Sequence, residues 1–373
     1  MMKRLFTLGL LCIFLTGCGY KKETKEVIKF STWGSASEMA ILKPIISDFE
    51  AKNPDIKIEL LHIPQDYFQK LHLLFASNLA PDVIFINNLN LPVYSNRLAQ
   101  LDGIQDESIY YSKAIKALSV DGHLYALPRD VSNPVIYYNK SLFKRSGVPY
   151  PTSDWTLDDL VQTAKKMTRE DIFGISYEPL VYYALPYMFY MGGGILSDDL
   201  SYIAETYSSQ KGLSLYKDLA YKYHYAPVPS QIGSKTLAQM FLEGQIAMHL
   251  SGRWLVPKYR ESAKFDWDIV NFPKGCVPCD ASGWAISKTS KHKVSARKFI
   301  LFLASKHNIE QITKSGLIVP ARIDVAESEV FLSGKPSHSD LFLYSVKHSK
   351  NTPVSKKYSS LIDRLNDLFF NKM

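Results

Sequence analysis

The sequence predicts an α/β protein built of two lobes, and three observations carry that prediction. Strand, helix, strand, helix and strand alternate over residues 27–86, the βαβ rhythm of a parallel sheet. The alternation resumes from residue 135. At 373 residues, the chain holds about two domains of roughly 150 residues each. Apolar residues make up 46% and charged residues 21%, an ordinary globular balance that excludes global disorder. A chain of this size buries a large core and needs no disulfide framework.

Val27–Trp33 is a strand-like run that breaks at Gly34-Ser35-Ala36-Ser37. Over Glu38–Ala51, Met39, Ile41, Leu42, Ile45, Ile46 and Phe49 recur at helical spacing. Ile56–Ile63 alternates as a second strand, and Tyr67–Leu79 is an amphipathic helix stopped by Ala80-Pro81. Asp82–Ile86 is a short apolar run, as in a strand buried on both faces. The polar loops after these strands, Gly34–Ser37 and Asn87–Asn90, occupy the ends where open α/β sheets present groups to a ligand.

In the second half, Val135–Tyr138 reads as a strand, and Thr156 with Asp159 forms a capping box for a helix through Met167. Gly174–Ser176 resembles a strand, and Tyr207–Lys222 and Leu237–Gly244 are helical. Ile246–Leu250 is a buried strand ending at Ser251-Gly252-Arg253-Trp254. Ala285–Ser287 closes another strand, and Val294–Ser305 and Tyr358–Phe370 are amphipathic helices.

The amino terminus indicates export. Met1-Met2-Lys3-Arg4 is basic, and the apolar run Leu5–Leu15 is too short to span a bilayer but has the length of a signal-peptide core. Leu15-Thr16-Gly17-Cys18 resembles the lipobox of bacterial lipoproteins, which implies cleavage before Cys18 and lipid on its thiol and new amino group. Residues 1–17 are then the signal peptide and residues 18–26 a lipid-anchored tether, with the domain facing the periplasm or cell exterior. Cys12 falls inside the signal, so Cys276 and Cys279 remain as the only mature-domain pair, with a local structural disulfide as the favoured reading and redox function of the CxxC as the alternative.

Little in the sequence points to catalysis. GxSxG, HExxH, GxxxxGK[ST] and EF-hand patterns are absent, and Gly192-Gly193-Gly194 lacks dinucleotide-binding spacing. The nine histidines are scattered, so no metal or other cofactor is expected. A glycosidase needs two carboxylates across a cleft, and no local constellation singles out a pair. Lys+Arg exceed Asp+Glu by 44 to 36, a net charge of +8 that permits a nucleic-acid partner without requiring one. The densest group, Lys288, Lys291 and Lys293, reads as a solvated helix entry, and no nucleic-acid partner is expected.

Several segments together resemble one family. Phe30-Ser31-Thr32-Trp33-Gly34 is followed by Ala80-Pro81-Asp82-Val83, Asp121-Gly122-His123-Leu124-Tyr125-Ala126-Leu127-Pro128 and Tyr137-Tyr138-Asn139-Lys140. Then come Trp155-Thr156, Phe241–Met248 leading to Gly252-Arg253-Trp254, Ser282-Gly283-Trp284 and Gly316–Arg322. In this order they resemble the family 1 extracellular solute-binding proteins, the sugar-binding lipoproteins of ABC importers that are similar to maltose-binding protein. The resemblance implies a two-lobed periplasmic-binding-protein fold of type II. Each lobe would be a mainly parallel sheet flanked by helices, with the ligand cleft between them. It places one lobe in residues 27–131 plus 284–325 and the other in 132–283 plus 326–373, with crossings near Asp130–Asn133, Ser282–Trp284 and Asp324–Glu327. It implies a monomeric receptor that closes on a sugar or polyol and hands it to the transmembrane subunits of an ABC permease.

On that resemblance the candidate ligand residues are Ser37, Glu38, Asn87, Asn88, Ser132, Asn133, Tyr182, Tyr183, Trp254, Trp284 and Arg322. Sugars offer hydroxyls for planar polar partners and C–H faces for aromatic rings, which is why these residue types suit the task. Several have a plainer reading. Glu38 also suits a helix start, Asn87 and Asn88 a turn, Trp254 a core, Trp284 the packing of the hinge, and Arg322 the surface. Trp33 reads as lobe core. Several expected cleft positions carry Ser or Asn where oligosaccharide binders of the family have carboxylates, and Arg253 and Arg322 keep a glycerol-phosphate-type solute open. A surface glycan-processing enzyme is the alternative in another class.

Overall fold

The computed structural model describes residues 25–371, so the expected signal peptide, Cys12 and Cys18 lie outside the described residues. The chain begins with β1 (Glu26–Thr32), β2 (Ile56–His62) and β3 (Val83–Asn87), joined by helices Ala36–Lys52 and Tyr67–Ala76. A short hairpin, β4 (Ser119–Val120) and β5 (His123–Leu124), precedes β6 (Leu127–Ser132) and β7 (Val135–Asn139). There follow β8 (Phe173–Ile175), β9 (Ile246–Ser251), β10 (Trp267–Val270), β11 (Pro278–Ile286), β12 (Val319–Pro320) and β13 (Lys350–Asn351).

These strands form two main sheets. The larger has the order β12-β6-β11-β3-β1-β2 with β13 on β11, and the smaller has the order β10-β7-β9-β8. The expected two-part α/β architecture is present, but the sheets are mixed rather than mainly parallel. β1 pairs parallel with β2 and β3, and β8 pairs parallel with β9. By contrast, β11 runs antiparallel to β3 and β6, and β7 runs antiparallel to β9 and β10. The physical reason lies in the chain path. A strand that enters a sheet from the cleft side runs opposite to strands that end there, and β7 and β11 both enter that way.

The crossing itself is hydrogen-bonded. β6 and β11 stay paired at Asp280↔Ser132 and Ala281↔Val131 until β6 leaves for β7 through Asn133-Pro134. Asn88, buried just beyond β3, donates its amide Nδ2 to Asp280 Oδ1 at 3.0 Å and accepts from the Ala281 N–H at 3.0 Å.

The alternation of the sequence is visible in burial. Ile28 and Phe30 of β1 point inward between exposed Val27 and Lys29, and Val83–Ile86 of β3 are fully buried. Phe30 and Phe49 close on Phe299 with ring centroids 5.4 and 4.9 Å apart. In the smaller sheet, β7 sends Val135 and Tyr137 to one core and Ile136 and Tyr138 to the other. The helix Val181–Tyr190, with Pro186 inside it, escaped the periodicity reading because it is apolar nearly all round.

His249 on β9 is 5% exposed, and its Nδ1 lies 2.5 Å from the Tyr259 hydroxyl. Burial, with Lys258 adding to it, pulls this imidazole down to about 3 from its ordinary 6.5. The unfolded chain therefore takes up a proton below 6.5 that the folded chain refuses, so folding stability is lost as the pH falls from about 6.5 towards 3. His249→Gln should flatten that pH dependence by about 1.4 kcal/mol per pH unit below pH 6, read from urea unfolding at several pH values.

Candidate ligand-binding cleft

Both sheets end strands at the same place. β1, β3 and β6 finish there from the larger sheet and β8 and β9 from the smaller, so the loops that follow them converge. Between them lies a cleft of about 250 Å³ lined by Trp33 and Glu38 after β1, Arg129–Ser132 of β6 with Asn133 beyond it, and Arg253-Trp254 after β9. Ser282 of β11 and Leu317–Val319 complete its wall. A larger depression, about 620 Å³, sits at the opposite end of β1 around Lys29, Arg97 and Lys288. It is lined by the larger-sheet half alone, so the smaller, two-sided cleft is the better candidate.

One wall is a closed ionic group. Glu38 sits in the capping box of helix Ala36–Lys52. Its Oε2 accepts from the Ser35 N–H at 2.9 Å, and its Oε1 lies 3.7 Å from Arg129 Nη1. Arg129 also donates through Nε to Asp130, and its guanidinium lies 4.1 Å above the Phe85 ring. Burial raises the Asp130 carboxyl above its ordinary value, while Arg129 opposes the rise. Glu38 thus both caps its helix and steadies Arg129, so the two readings of this residue coexist.

The opposite wall is aromatic. Trp254 is 39% exposed and stands in the cleft. Its ring folds back over Gly252, where any Cβ would fall 1.9 Å from the indole, so this placement of the ring requires glycine there. The Gly252 carbonyl accepts from the Tyr137 hydroxyl at 2.8 Å, which fixes the turn from below. Arg253 is only 3% exposed, with its guanidinium 3.9 Å from the Phe331 ring centre and 5.0 Å from that of Phe342. Its Nε and Nη1 are buried without a hydrogen-bond partner, and burial draws its pKa down to about 9.

The other expected residues divide. Ser132 and Asn133 line the cleft, and Asn133 donates to the Phe342 carbonyl at 3.0 Å while its Oδ1 has no partner. Tyr182 lies beside Asp280 and Ser132, and Tyr183 beside Glu178 and Ser251, so both reach the rim of the crossing from the smaller-sheet side. Burial pushes the Tyr183 hydroxyl up to about 12. Ser37 is exposed and bonds Ser35 Oγ at 2.7 Å, outside the cleft lining.

Four more of the expected residues lie outside the cleft lining, and the cysteine pair differs in state. Asn87 folds a turn, its Oδ1 accepting from Asn90 N and Nδ2 at 3.0 Å, and Asn88 is consumed by the crossing clamp. Trp284 is 2% exposed and lies beneath the cleft, 6.3 Å from Phe85, because β11 turns that face into the core. Arg322 is away from the cleft, held by both Asp324 oxygens at 3.0 and 2.9 Å and by the Ala304 carbonyl. Cys276 and Cys279 are free thiols rather than a disulfide. Their side chains pack into different cores, Cys279 with the larger-sheet cluster and Cys276 with the other.

Sequence reasoning did not single out Arg129, Asp130 or Glu178. Arg129 and Asp130 follow Leu127-Pro128 in a strand that has no clean alternation, which hid them. Glu178 follows β8, is half-buried, and forms no ion pair among the described residues. Burial raises its carboxyl above the ordinary value.

The sequence pattern of the bacterial extracellular solute-binding proteins matches residues 45–335. The chain belongs to that family. This solute-binding protein is similar to the galactooligosaccharide-binding protein of Bacillus subtilis, 24% identical over 352 residues that cover 87% of this chain and 81% of the relative. The maltodextrin-binding protein of the same organism is 26% identical over 343 residues, 83% and 78% of the two chains. Among solved structures, an ABC substrate-binding protein of Listeria monocytogenes in complex with cycloalternan matches with a TM-score of 0.85 at 27% identity, over 93% of each chain. The fold is therefore the type II periplasmic-binding-protein fold that the sequence led us to expect.

The two tryptophans of this solute-binding protein should separate cleanly. Trp284→Ala should cost about 3–5 kcal/mol of folding stability, the range for emptying a buried aromatic site. Trp254→Ala, at an exposed ring, should cost under about 1 kcal/mol. Urea unfolding of the two variants checks both.

Proposed function

We propose that this chain is the extracytoplasmic receptor of an ABC importer and captures a sugar or sugar-like polyol in the cleft between its sheets, without turning it over. The single observation that carries this reading is the exposed Trp254 ring facing Glu38, Arg129, Ser132 and Ser282 across one small cavity. An indole face stacks on sugar C–H groups, and the charged and hydroxyl side chains opposite satisfy the sugar hydroxyls. The named binding roles of its relatives agree with it. We read the lobes as residues 27–131 with 284–325 and residues 132–283 with 326–373. A ligand that touches both favours the closed form by its differential affinity, and the permease subunits read that form.

The proposed site comprises Glu38, Arg129, Ser132 and Ser282 on one side and Trp254 with Tyr182 and Tyr183 on the other. Anchoring through a lipid on Cys18, after cleavage of residues 1–17, would hold the receptor at the membrane on a short tether. The cleft carboxylates do not form an acid–base pair facing each other across a bond. Both Glu38 and Asp130 lie against Arg129 on one side.

A thermal-shift screen of the chain from residue 19 onward, against mono- and oligosaccharides and polyols, tests the reading. A ligand at 100 times its dissociation constant should add about 2.7 kcal/mol of stability. Trp254→Ala should weaken binding of the responding ligand by about 1–3 kcal/mol in titration calorimetry. Release of a hydrolysed product on prolonged incubation would sink the receptor reading.

A further inference from the structure

Two arginines and two carboxylates line the cleft, but both carboxylates lie against the same arginine. Glu38, Arg129 and Asp130 form one closed group, with Arg129 reaching both carboxylates. Arg253 is the cation left over. No carboxylate pairs with it among the described residues, and its Nε and Nη1 have no acceptor although the residue is 3% exposed. Phe331 and Phe342 give it an aromatic bed, which favours a cation but accepts no N–H bond in the guanidinium plane. A buried, unpaired guanidinium is costly to a fold, and five donors in a fixed fork match the oxygens of a carboxylate or phosphate.

Its place decides what such a fork would meet. Arg253 lines the same cleft as Trp254 and comes directly before it in the turn after β9, so it borders the ring proposed to stack on the ligand. Surface basic residues and helix ends play no part here, since the group is built into the cleft wall. We propose that the ligand of this receptor carries an oxyanion, a carboxylate or a phosphate on a sugar or polyol skeleton, and that Arg253 is the residue that receives it. This rests on the receptor reading above and adds the charge class of the solute. Such a ligand neutralises the one cleft cation that the protein leaves unpaired, and a neutral sugar does not.

The test uses matched pairs on the chain from residue 19 onward. Digalacturonate is set against galactobiose for the carboxylate, and glucose 6-phosphate against glucose and glycerol 3-phosphate against glycerol for the phosphate. The neutral screen of the preceding section is run alongside. The expected result is a thermal shift for the anionic member of at least one pair, its affinity exceeding that of the neutral partner by about 10–100-fold. The pair that responds identifies the oxyanion.

Arg253→Met should remove that preference, and Arg253→Lys should retain part of it, because a point charge replaces the planar fork. Should Arg253→Met fail to fold, the salt dependence of the unsubstituted chain decides, since anion capture weakens as sodium chloride rises from 20 to about 500 mM. A neutral sugar that binds as tightly as its anionic counterpart, or binds alone, overturns the inference and leaves the receptor reading intact. So does anion binding that Arg253→Met leaves unchanged. Silence of every compound overturns the receptor reading and this inference together.

Discussion

The pairing of β6 with β11 at the crossing is the constraint on which the cleft depends. Ser132 opposite Asp280 and Asp130 opposite Ser282 are held in one register, and a slip of one residue would turn each of these side chains to the other face. The register shifts at Ser282/Gly283, where a Cβ on Gly283 would fall 2.3 Å from the Leu127 carbonyl oxygen. Only glycine lets the strands stay that close. The Asn88 amide then ties β3 to β11 at the same level through Asp280 and the Ala281 N–H. Three strands are thus fixed to one another where the chain changes sheets, and the groups at their ends inherit that fixed geometry.

From that anchor the rest follows in layers. Strands that terminate at the crossing expose their terminal polar groups there, while Phe30, Val83–Ile86 and Trp284 bury the apolar faces beneath. The small apolar cavity beneath the cleft, bounded by Phe30, Met39 and Trp284, separates the ionic wall from the deeper core. Arg129 lies over Phe85, so its charge sits on an aromatic floor and keeps its donors pointed at Glu38 and Asp130. The position of a charged residue in the cleft is in this way set by apolar packing one layer below.

How much of this is legible in the sequence depends on the kind of residue. The first three strands and their helices declare themselves because each buries one periodic face, and their observed bounds differ from the expected ones by at most three residues. β6, β10 and the front half of β11 do not declare themselves. Leu127-Pro128-Arg129-Asp130 and Pro278-Cys279-Asp280-Ala281 mix prolines and charges that a tertiary pairing, not a local preference, makes into strands. The site divides in the same way. Trp254, which the family resemblance singles out at a Gly-x-Trp position after β9, lines the cleft. Trp284, two residues after Ser282, was placed in the cleft instead of under it, since alternation tells the faces of a strand apart but not which face is the core. Asn88 and Arg322 were misplaced for a related reason. Both meet partners distant in sequence or in the next turn, Asp280 and Asp324, and no local pattern announces such partners.

The two arginines of the cleft show what folding alone asks of a buried charge. Arg129 has a hydrogen bond from Nε to Asp130, the Glu38 carboxylate 3.7 Å from Nη1, and an aromatic face. Arg322, outside the cleft, is more fully bonded, with a bidentate carboxylate and a carbonyl. Arg97, half-buried outside the cleft, likewise lies over a ring, Phe75, with its Nη1 unpartnered, so an incomplete guanidinium is not unique to the cleft. Arg253 differs in being more deeply buried and in standing in the cleft wall, with rings in place of a carboxylate. A group kept incomplete against the cost of burial is better explained by a partner that arrives than by the packing around it.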